Sequence, residues 1–238
     1  FHIDQDEIEW TAIAYTLYLG PQGHWTNRDG ARFDFDQLAE EILERPVIEA
    51  SCGGTHLFYA MTILVRAHHE HPILSDAAID RLNTSLRRFS TLAASTQRDD
   101  GSWIHGWNLE QPVPDYLDTP SNRLHMTGHV LEWLEYLPRE FQPDRDVYER
   151  GARWLLTALE QVDTRPIDPG QFCPWTHAYC AVRNLIDDTS FAQPAQGLSR
   201  ANARPALLAS TGASAPPYTC CVTCEGRSSR TSLVSHSP

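Results

Sequence analysis

Apolar residues recur at helical spacing along most of the chain, and two kinds of apolar pattern alternate. Residues 6–19 are apolar on most sides, whereas residues 34–45 carry one apolar stripe that contains Phe35, Leu38 and Ile42. A helix that is apolar all round is buried, and a helix with a single stripe covers a core from outside. The pattern therefore predicts inner helices that alternate with outer helices.

Glycine, proline and capping residues mark the ends of these helices. The mostly apolar helices are predicted at 6–19, 48–69, 122–137 and about 174–186. The amphipathic helices are predicted at 34–45, 76–96 and 145–162. Ser75 and Asp144 are the expected N-caps of the last two, and Ser121 precedes the helix at 122–137. The expected fold class is all-α.

The apolar helices share a weak internal repeat. Their segments WTAIAYTL, GTHLFYAM, GHVLEWLE and WTHAYCAV align at Thr11, Thr55, Gly128 and Thr176, with spacings of 44, 73 and 48. Paired helices with a period near 45 indicate a stacked array of helical hairpins, open or closed into an α/α toroid. The chain holds about three and a half such hairpins, so the ring is expected to be incomplete.

A turn between two helical patterns carries a recognisable motif. In the stretch QRDDGSWIHGW, Gln97, Gly101 and Trp103 form a Gln-x-x-x-Gly-x-Trp pattern. This pattern resembles the QW motif of squalene and oxidosqualene cyclases, in the terpenoid cyclase and prenyltransferase superfamily. The resemblance covers residues 6–188 and implies part of an α/α toroid. It also implies that the Gln side chain caps a helix end while the indole stacks beside it.

The same resemblance suggests a catalytic acid near the N-terminus. Class II terpenoid cyclases carry Asp-x-Asp-Asp-Thr-Ala, where this chain reads Glu7-Ile8-Glu9-Trp10-Thr11-Ala12. Carried over, the middle acid is Glu9, a general acid with a pKa raised by burial. Two Glu and one Trp replace the Asp residues of that motif. The alternative is an acid-rich helix start that the helix dipole favours.

Three histidines occupy equivalent repeat positions. His56, His129 and His177 follow the aligned residues and are expected near the N-terminal ends of inner helices. In a toroid these ends meet at one mouth of the central cavity. The three imidazoles are therefore candidate catalytic residues that shuttle protons or bind a metal. The alternative is a repeat consensus in which each imidazole bonds to a neighbouring carbonyl.

Two further groups are candidate metal ligands. Cys52 and Cys173 each precede a repeat histidine by four residues, which is one helical turn. His125, His129 and Glu132 share one helix face and suggest a two-His-one-carboxylate site. No cofactor is predicted, and zinc is the metal that such Cys and His ligands suit. Lanthionine cyclases and protein prenyltransferases hold zinc with Cys and His, but this chain lacks their ligand motifs. For His125, His129 and Glu132, the alternative is a polar helix face without a metal.

These features leave three functions open. The leading hypothesis is a terpenoid cyclase-like domain with an aromatic and His-lined cavity for a hydrophobic or small-molecule ligand, its catalytic activity undetermined. The second is a polysaccharide-active enzyme, because loop acids lie near aromatic residues; these are Asp99, Asp100, Asp115 and Asp118, with Trp103, Trp107 and Tyr116. The third is a non-catalytic helical-repeat scaffold that binds a protein partner.

Composition narrows these choices. Residues 1–188 hold 15 Arg against 30 acidic residues, a net charge of −15, which disfavours nucleic-acid binding through a basic patch. The chain has no Lys, which excludes a Schiff-base lysine and a Walker-type phosphate loop. No apolar run approaches the ~20 residues of a membrane span. The six cysteines are irregularly spaced, so reduced thiols are expected, which favours the cytoplasm.

The composition of the sequence changes near residue 189. Residues 1–188 are expected to form the helical domain. Residues 189–238 hold four Arg and one acid, a net charge of +3, and lack apolar periodicity. Such a segment buries too little apolar surface to offset its ordering entropy, so disorder is predicted. The chain starts at Phe1, so a fragment of a longer protein is expected. The sequence does not indicate an oligomeric state.

Overall fold

A computed structural model describes residues 3, 7–47, 50–108, 115, 118–161, 177–181 and 183, and this part of the chain is mostly helical. Its helices are α1 (Ile8–Leu19), α2 (Phe35–Glu44), α3 (Thr55–Glu70), α4 (Asp76–Thr96), α5 (Pro120–Tyr136) and α6 (Arg145–Glu160). Short 3-10 turns occupy Gly20–Gln22, Ser51–Gly54 and Arg139–Phe141. Residues 177–181 are also helical. Cys173 and residues 189–238 lie outside the described residues, so the predictions on them stay predictions.

Local sequence signals account for most helix ends. The predicted bounds of α4 are confirmed, and the Ser75 side chain accepts a hydrogen bond from the Ala78 N–H at its N-terminus. Helix α5 begins two residues earlier than predicted, because Thr119 rather than Ser121 supplies the cap and Pro120 fits the first turn. The prediction for Asp144 is wrong in detail, since it precedes α6 without a side-chain capping bond.

A small β-hairpin lies in the segment between the helices predicted at 6–19 and 34–45, where no strand was expected. Strands β1 (His24–Thr26) and β2 (Arg32–Asp34) pair antiparallel, with Trp25 opposite Phe33. Trp25 is buried and its ring also packs against Phe35, at a centroid distance of 5.2 Å. The all-α prediction therefore needs this correction. Strands of three residues are too short for an alternating pattern to reveal them.

The start of α3 differs most from the prediction. The helix begins at Thr55 rather than residue 48, because Cys52, Gly53 and Gly54 have φ values of 53°, 63° and 78°. Left-handed residues cannot continue a right-handed helix. A side chain at Gly54 would also clash with Val47. The spacing had suggested that Cys52 lies one helical turn before His56. Cys52 instead lies outside the helix.

The apolar helices pack on one another in chain order. Helix α1 contacts α3, and α3 contacts α5, while α2 and α4 pack together and α6 packs on α5. The segment 177–181 approaches α5 closely at Gly128, where an added Cβ would lie 2.6 Å from the Ala178 backbone nitrogen. Glycine is needed at this repeat position because two helix backbones nearly touch there. Among the described residues, no helix has the length and apolar character needed to cross a membrane.

The Gln97–Trp103 turn ties α4 and α6 together. The Gln97 side-chain amide donates to the carbonyls of Gly101 and Val147, each at 2.9 Å. The fully buried Trp103 indole donates to the Ala93 carbonyl at 2.8 Å, in the last turn of α4. The indole, rather than the glutamine that the resemblance implied, therefore satisfies a carbonyl at the end of α4. Gln97 instead links the turn to the first turn of α6.

Candidate functional site

Ionisable side chains collect in one buried region between α1, α3, α5 and the segment 177–181. We call this region the polar centre, and its members are Glu7, Glu9, Cys52, His56, His125, His129, Glu132 and His177. The exposed fraction is 1% for His177, 2% for Glu9, 3% for His129 and 4% for His56. Burying polar groups costs free energy unless specific partners compensate for it. The arrangement of partners is therefore the informative feature.

His129 lies in the middle of the polar centre. Its ring centroid is 3.6 Å from that of His177, 4.5 Å from His125 and 5.1 Å from His56. The structure thus brings the three repeat histidines together and adds His125 to them. The repeat had suggested that His129 lies near the N-terminal end of its helix. Because α5 begins at Pro120, His129 instead lies well inside the helix.

One trio joins the left-handed turn before α3 to α5. The Cys52 Sγ atom lies 3.7 Å from His125 Nε2, and His125 Nε2 lies 2.9 Å from His129 Nε2. Donor atoms of the three residues all lie within 4.8 Å of one another. Sequence spacing did not reveal this trio, because the left-handed conformation of Cys52 directs its thiol to another helix.

A second trio is arranged around one carboxylate. Glu132 Oε2 lies 2.7 Å from His177 Nδ1 and 3.6 Å from His129 Nδ1. His125 faces the opposite nitrogen of His129, so the predicted group of His125, His129 and Glu132 is divided between two trios. The shared helix face was correct, but helical spacing says nothing about which imidazole nitrogen each neighbour meets.

A third trio lies at the start of α1. Donor atoms of Glu7, Glu9 and His56 lie within 4.8 Å of one another. The Ser51 hydroxyl donates to Glu7 Oε1 at 2.5 Å, and the Trp10 ring lies 4.6 Å from the His56 ring. The sequence singled out Glu9 alone as a candidate acid. Glu7 joins it through a left-handed turn that the acid-rich helix start did not reveal.

Backbone strain coincides with the polar centre. Glu7 and Cys52 are the non-glycine residues with positive φ in the part of the chain that the structure describes, at 50° and 53°. Such conformations cost about 1–3 kcal/mol each and cluster at functional sites. Both strained residues contribute a donor atom to a trio, so the strain accompanies the positioning of these side chains.

Burial sets the protonation states of the polar centre. It lowers the pKa of His56 and of His125 to about 3, and it lowers the pKa of His129 well below the usual range. Burial, reinforced by nearby carboxylates, raises the pKa of Cys52 to about 12. The imidazoles of His56, His125 and His129 are therefore neutral at pH 7, with a lone pair on each ring. A protonated thiol is a poor nucleophile, and a bound metal ion favours the thiolate by displacing the proton.

Glu9 has the environment that a buried acid requires. Burial raises its pKa, and Glu7 reinforces the effect, while a hydrogen bond from its own backbone and the charge of Arg45 oppose it. The catalytic role of Glu9 stays a prediction.

Two of the four loop acids that suggested a polysaccharide enzyme, Asp100 and Asp118, form ion pairs with arginine. Arg123 pairs with both Asp100 and Asp118, and Arg98 also pairs with Asp118. Burial opposes a low pKa at Asp100, but hydrogen bonds from Ser102 and the charge of Arg123 lower it. The hydrogen bond from Arg123 likewise lowers the pKa of Asp118. Asp99 and Asp115 are exposed, and Tyr116 lies outside the described residues.

The aromatic residues near the polar centre belong to the packed hydrophobic core. The rings of Trp107 and Trp133 stack at 6.3 Å, and Phe58 contacts both. Trp103 and Trp107 are buried, so neither offers an open stacking platform. Trp10 borders the polar centre through its contact with His56.

Of the two cysteines that the structure describes, one contradicts the expectation of reduced thiols. Cys180 is disulfide-bonded, whereas Cys52 is a free thiol. Irregular spacing did not reveal this bond, because disulfide pairing depends on proximity in space rather than along the chain. The free thiol is the one that belongs to the polar centre.

Compared with known proteins, the chain matches no family model, no curated protein and no solved structure. The assignment of a function therefore depends on the geometry and chemistry of the polar centre.

Proposed function

We propose that the protein is a metal-dependent enzyme domain in which Cys52, His125 and His129 hold a zinc-type ion. The observation that carries this proposal is the meeting of one thiol and two imidazole nitrogens in a buried site. The architecture we propose for it is part of an α/α toroid similar to terpenoid cyclases and prenyltransferases. The order of helix contacts and the Gln97–Trp103 turn support that architecture.

The spacing of the three donor atoms suits a tetrahedral ion. Zinc bonds of about 2.05 Å to nitrogen and about 2.3 Å to sulfur give edges of about 3.3 Å (N to N) and about 3.6 Å (N to S). The corresponding distances are 2.9 Å between His125 Nε2 and His129 Nε2, and 3.7 Å between His125 Nε2 and Cys52 Sγ. All three donor atoms lie within 4.8 Å of one another, so an ion would draw them to the edges of this tetrahedron.

The protonation states favour a cation at this place. Neutral imidazoles are the form that ligates metals, and burial keeps His125 and His129 neutral at pH 7. A divalent ion would also deprotonate the Cys52 thiol and compensate for the nearby carboxylates. The geometry supplies three protein ligands, and a catalytic zinc site keeps its fourth position for water or substrate. Water activation on a small-molecule substrate is the chemistry that this arrangement serves.

Glu132 completes the arrangement as an outer-shell residue. Its Oε2 atom faces the Nδ1 atoms of His129 and His177. A ligating histidine commonly donates its second ring N–H to a carboxylate, which fixes the tautomer and the ring orientation. Glu132 is hydrogen-bonded to His177 Nδ1 at 2.7 Å and lies 3.6 Å from His129 Nδ1, on the side of the ring opposite Nε2.

The other functions considered from the sequence receive less support. Asp100 and Asp118 have low pKa values in ion pairs with arginine, which suits a structural role better than a general acid. A scaffold role would give no reason to gather four histidines and three glutamates between the helices. A metal centre would account for this cluster.

Calorimetry on the metal-free protein tests the proposal. We expect zinc(II) to bind tightly to the wild type, and we expect His129→Ala to lose more than the 10–100-fold in affinity that is typical of outer-shell changes. His24→Ala, which alters an exposed histidine in the hairpin, is the matched control and should bind as the wild type does. Equal zinc affinity for folded His129→Ala and the wild type would contradict the proposal.

A further inference from the structure

We infer that a second divalent cation binds at Glu7, Glu9 and His56, beside the Cys52 site, so that the polar centre is a two-metal centre. This inference rests on the proposed metal-dependent function, because it places the second ion next to the first. The site is built from α1 and α3, whereas the first site uses α5 and the turn before α3.

The donor atoms of this trio are already oriented towards one another. Oxygen atoms of both glutamates and a nitrogen of His56 lie within 4.8 Å of one another. Ser51 fixes one oxygen of Glu7 through a hydrogen bond of 2.5 Å. Glu9 and His56 are 2% and 4% exposed, so a bound ion would be shielded from bulk water. The trio also includes a buried imidazole, which distinguishes it from a surface cluster of acids.

The two sites are neighbours in space. The His56 ring centroid lies 5.1 Å from that of His129, a ligand of the first site. Both strained non-glycine residues, Glu7 and Cys52, contribute donors, one to each site.

Two divalent cations would balance the charge of the ionised polar centre. When ionised, Glu7, Glu9 and Glu132 carry three negative charges, and a metal-bound Cys52 thiolate carries a fourth. One divalent ion would neutralise half of this charge, and two would neutralise all of it. Arg45 is the positive charge that acts on Glu9. A second cation would compensate for the ionised carboxylates of this trio.

The two sites should prefer different metals. Two carboxylates and one imidazole make an oxygen-rich site that suits manganese(II) or iron(II), whereas thiolate and imidazole suit zinc and cobalt(II). This difference permits separate measurement of each site. Manganese(II) binding can be counted by electron paramagnetic resonance, and cobalt(II) at Cys52 should give a thiolate charge-transfer absorption.

The experiment loads the metal-free protein with cobalt(II) and then titrates it with manganese(II). We expect the wild type to show the thiolate absorption and to bind one further manganese ion per chain. In Glu9→Gln, manganese affinity should fall at least about tenfold while the thiolate absorption remains. Glu7→Gln, at a half-buried position, gives a second test should Glu9→Gln fail to fold. Glu149→Gln, on the exposed side of α6, is the matched control.

The outcomes separate this inference from the proposed function. Thiolate absorption with no manganese binding, or with manganese binding that neither glutamate variant changes, would overturn the second site alone. Manganese binding that depends on Glu9 but no thiolate absorption would overturn the first site alone. Absence of both signals would overturn both claims.

Discussion

His129 is the residue through which the polar centre is organised. Its Nε2 atom faces His125, its Nδ1 atom faces Glu132, and its ring packs at a tilt against His177 at a centroid distance of 3.6 Å. Each side of the imidazole therefore has a defined neighbour. Small changes in these neighbours should alter metal affinity more than they alter folding.

Replacement of Glu132 by glutamine tests its positioning role. The amide keeps the shape of the side chain but loses the negative charge that orients Nδ1 of His129. We expect zinc affinity to fall about 10–100-fold, as for other outer-shell carboxylates. Glu149→Gln should leave zinc affinity unchanged. Calorimetry decides the matter, and unchanged affinity in Glu132→Gln would show that this carboxylate does not position a ligand.

The low pKa values of the buried histidines predict acid sensitivity of the metal-free protein. His56 and His125 have a pKa of about 3 when folded and about 6.5 when unfolded. Between these values the unfolded chain binds more protons, so stability is fully present above pH 6.5 and declines as pH falls towards 3. Each imidazole contributes up to about 1.4 kcal/mol per pH unit in this window.

Urea unfolding at several pH values measures this slope. In His125→Gln the free energy of unfolding should depend less steeply on pH between 6.5 and 5, because one titrating group is lost. In His24→Gln, at an exposed position, the slope should match the wild type. An unaltered slope in His125→Gln would contradict the buried neutral state of this histidine.

At the level of elements, the sequence predicted what depends on local signals and missed what depends on backbone geometry. The bounds of α4 were predictable because Ser75 is a strong N-cap and a regular apolar stripe follows it. The start of α3 was not predictable, because Cys52 fits a helical pattern in the sequence although its backbone is left-handed. The hairpin at Trp25 was missed because its strands are too short to show alternation.

The contact between α5 and the segment 177–181 depends on a glycine. In Gly128→Ala the new Cβ would lie 2.6 Å from Ala178 N and 2.8 Å from the His177 carbonyl carbon. The helices must then separate, at a cost of about 1–3 kcal/mol in the free energy of unfolding. Gly20→Ala is the control, because nothing lies within 4 Å of its added Cβ. Equal stability of the two variants in urea unfolding would contradict this close packing.

The indole of Trp103 should stabilise the corner through its hydrogen bond. Trp103→Phe removes the donor to the Ala93 carbonyl, which leaves a buried acceptor without that bond and should cost about 1–3 kcal/mol. Trp107→Phe is the matched control, because within the described residues its buried indole nitrogen has no hydrogen-bond partner. Thermal or urea unfolding should show the larger loss for Trp103→Phe. A larger loss for Trp107→Phe would contradict the proposed clamp.

At the scale of the whole molecule, the repeat predicted that three histidines lie near one another, and the ring distances show that they do. The repeat carried this information because equivalent positions of stacked hairpins face the same region. It could not reveal the pairing of Cys52 with His125, which needs a left-handed backbone and a contact across 73 residues. It also could not reveal that Glu7 faces His56.

Cobalt(II) titration of the metal-free protein, followed by absorption spectroscopy, tests the central claim most directly. A metal held by Cys52, His125 and His129 predicts a thiolate-to-cobalt charge-transfer band that saturates at one ion per chain. The band should be absent in Cys52→Ser and unchanged in His24→Ala. A wild-type protein that shows no such band, or a band that persists in Cys52→Ser, would contradict a metal centre at these residues.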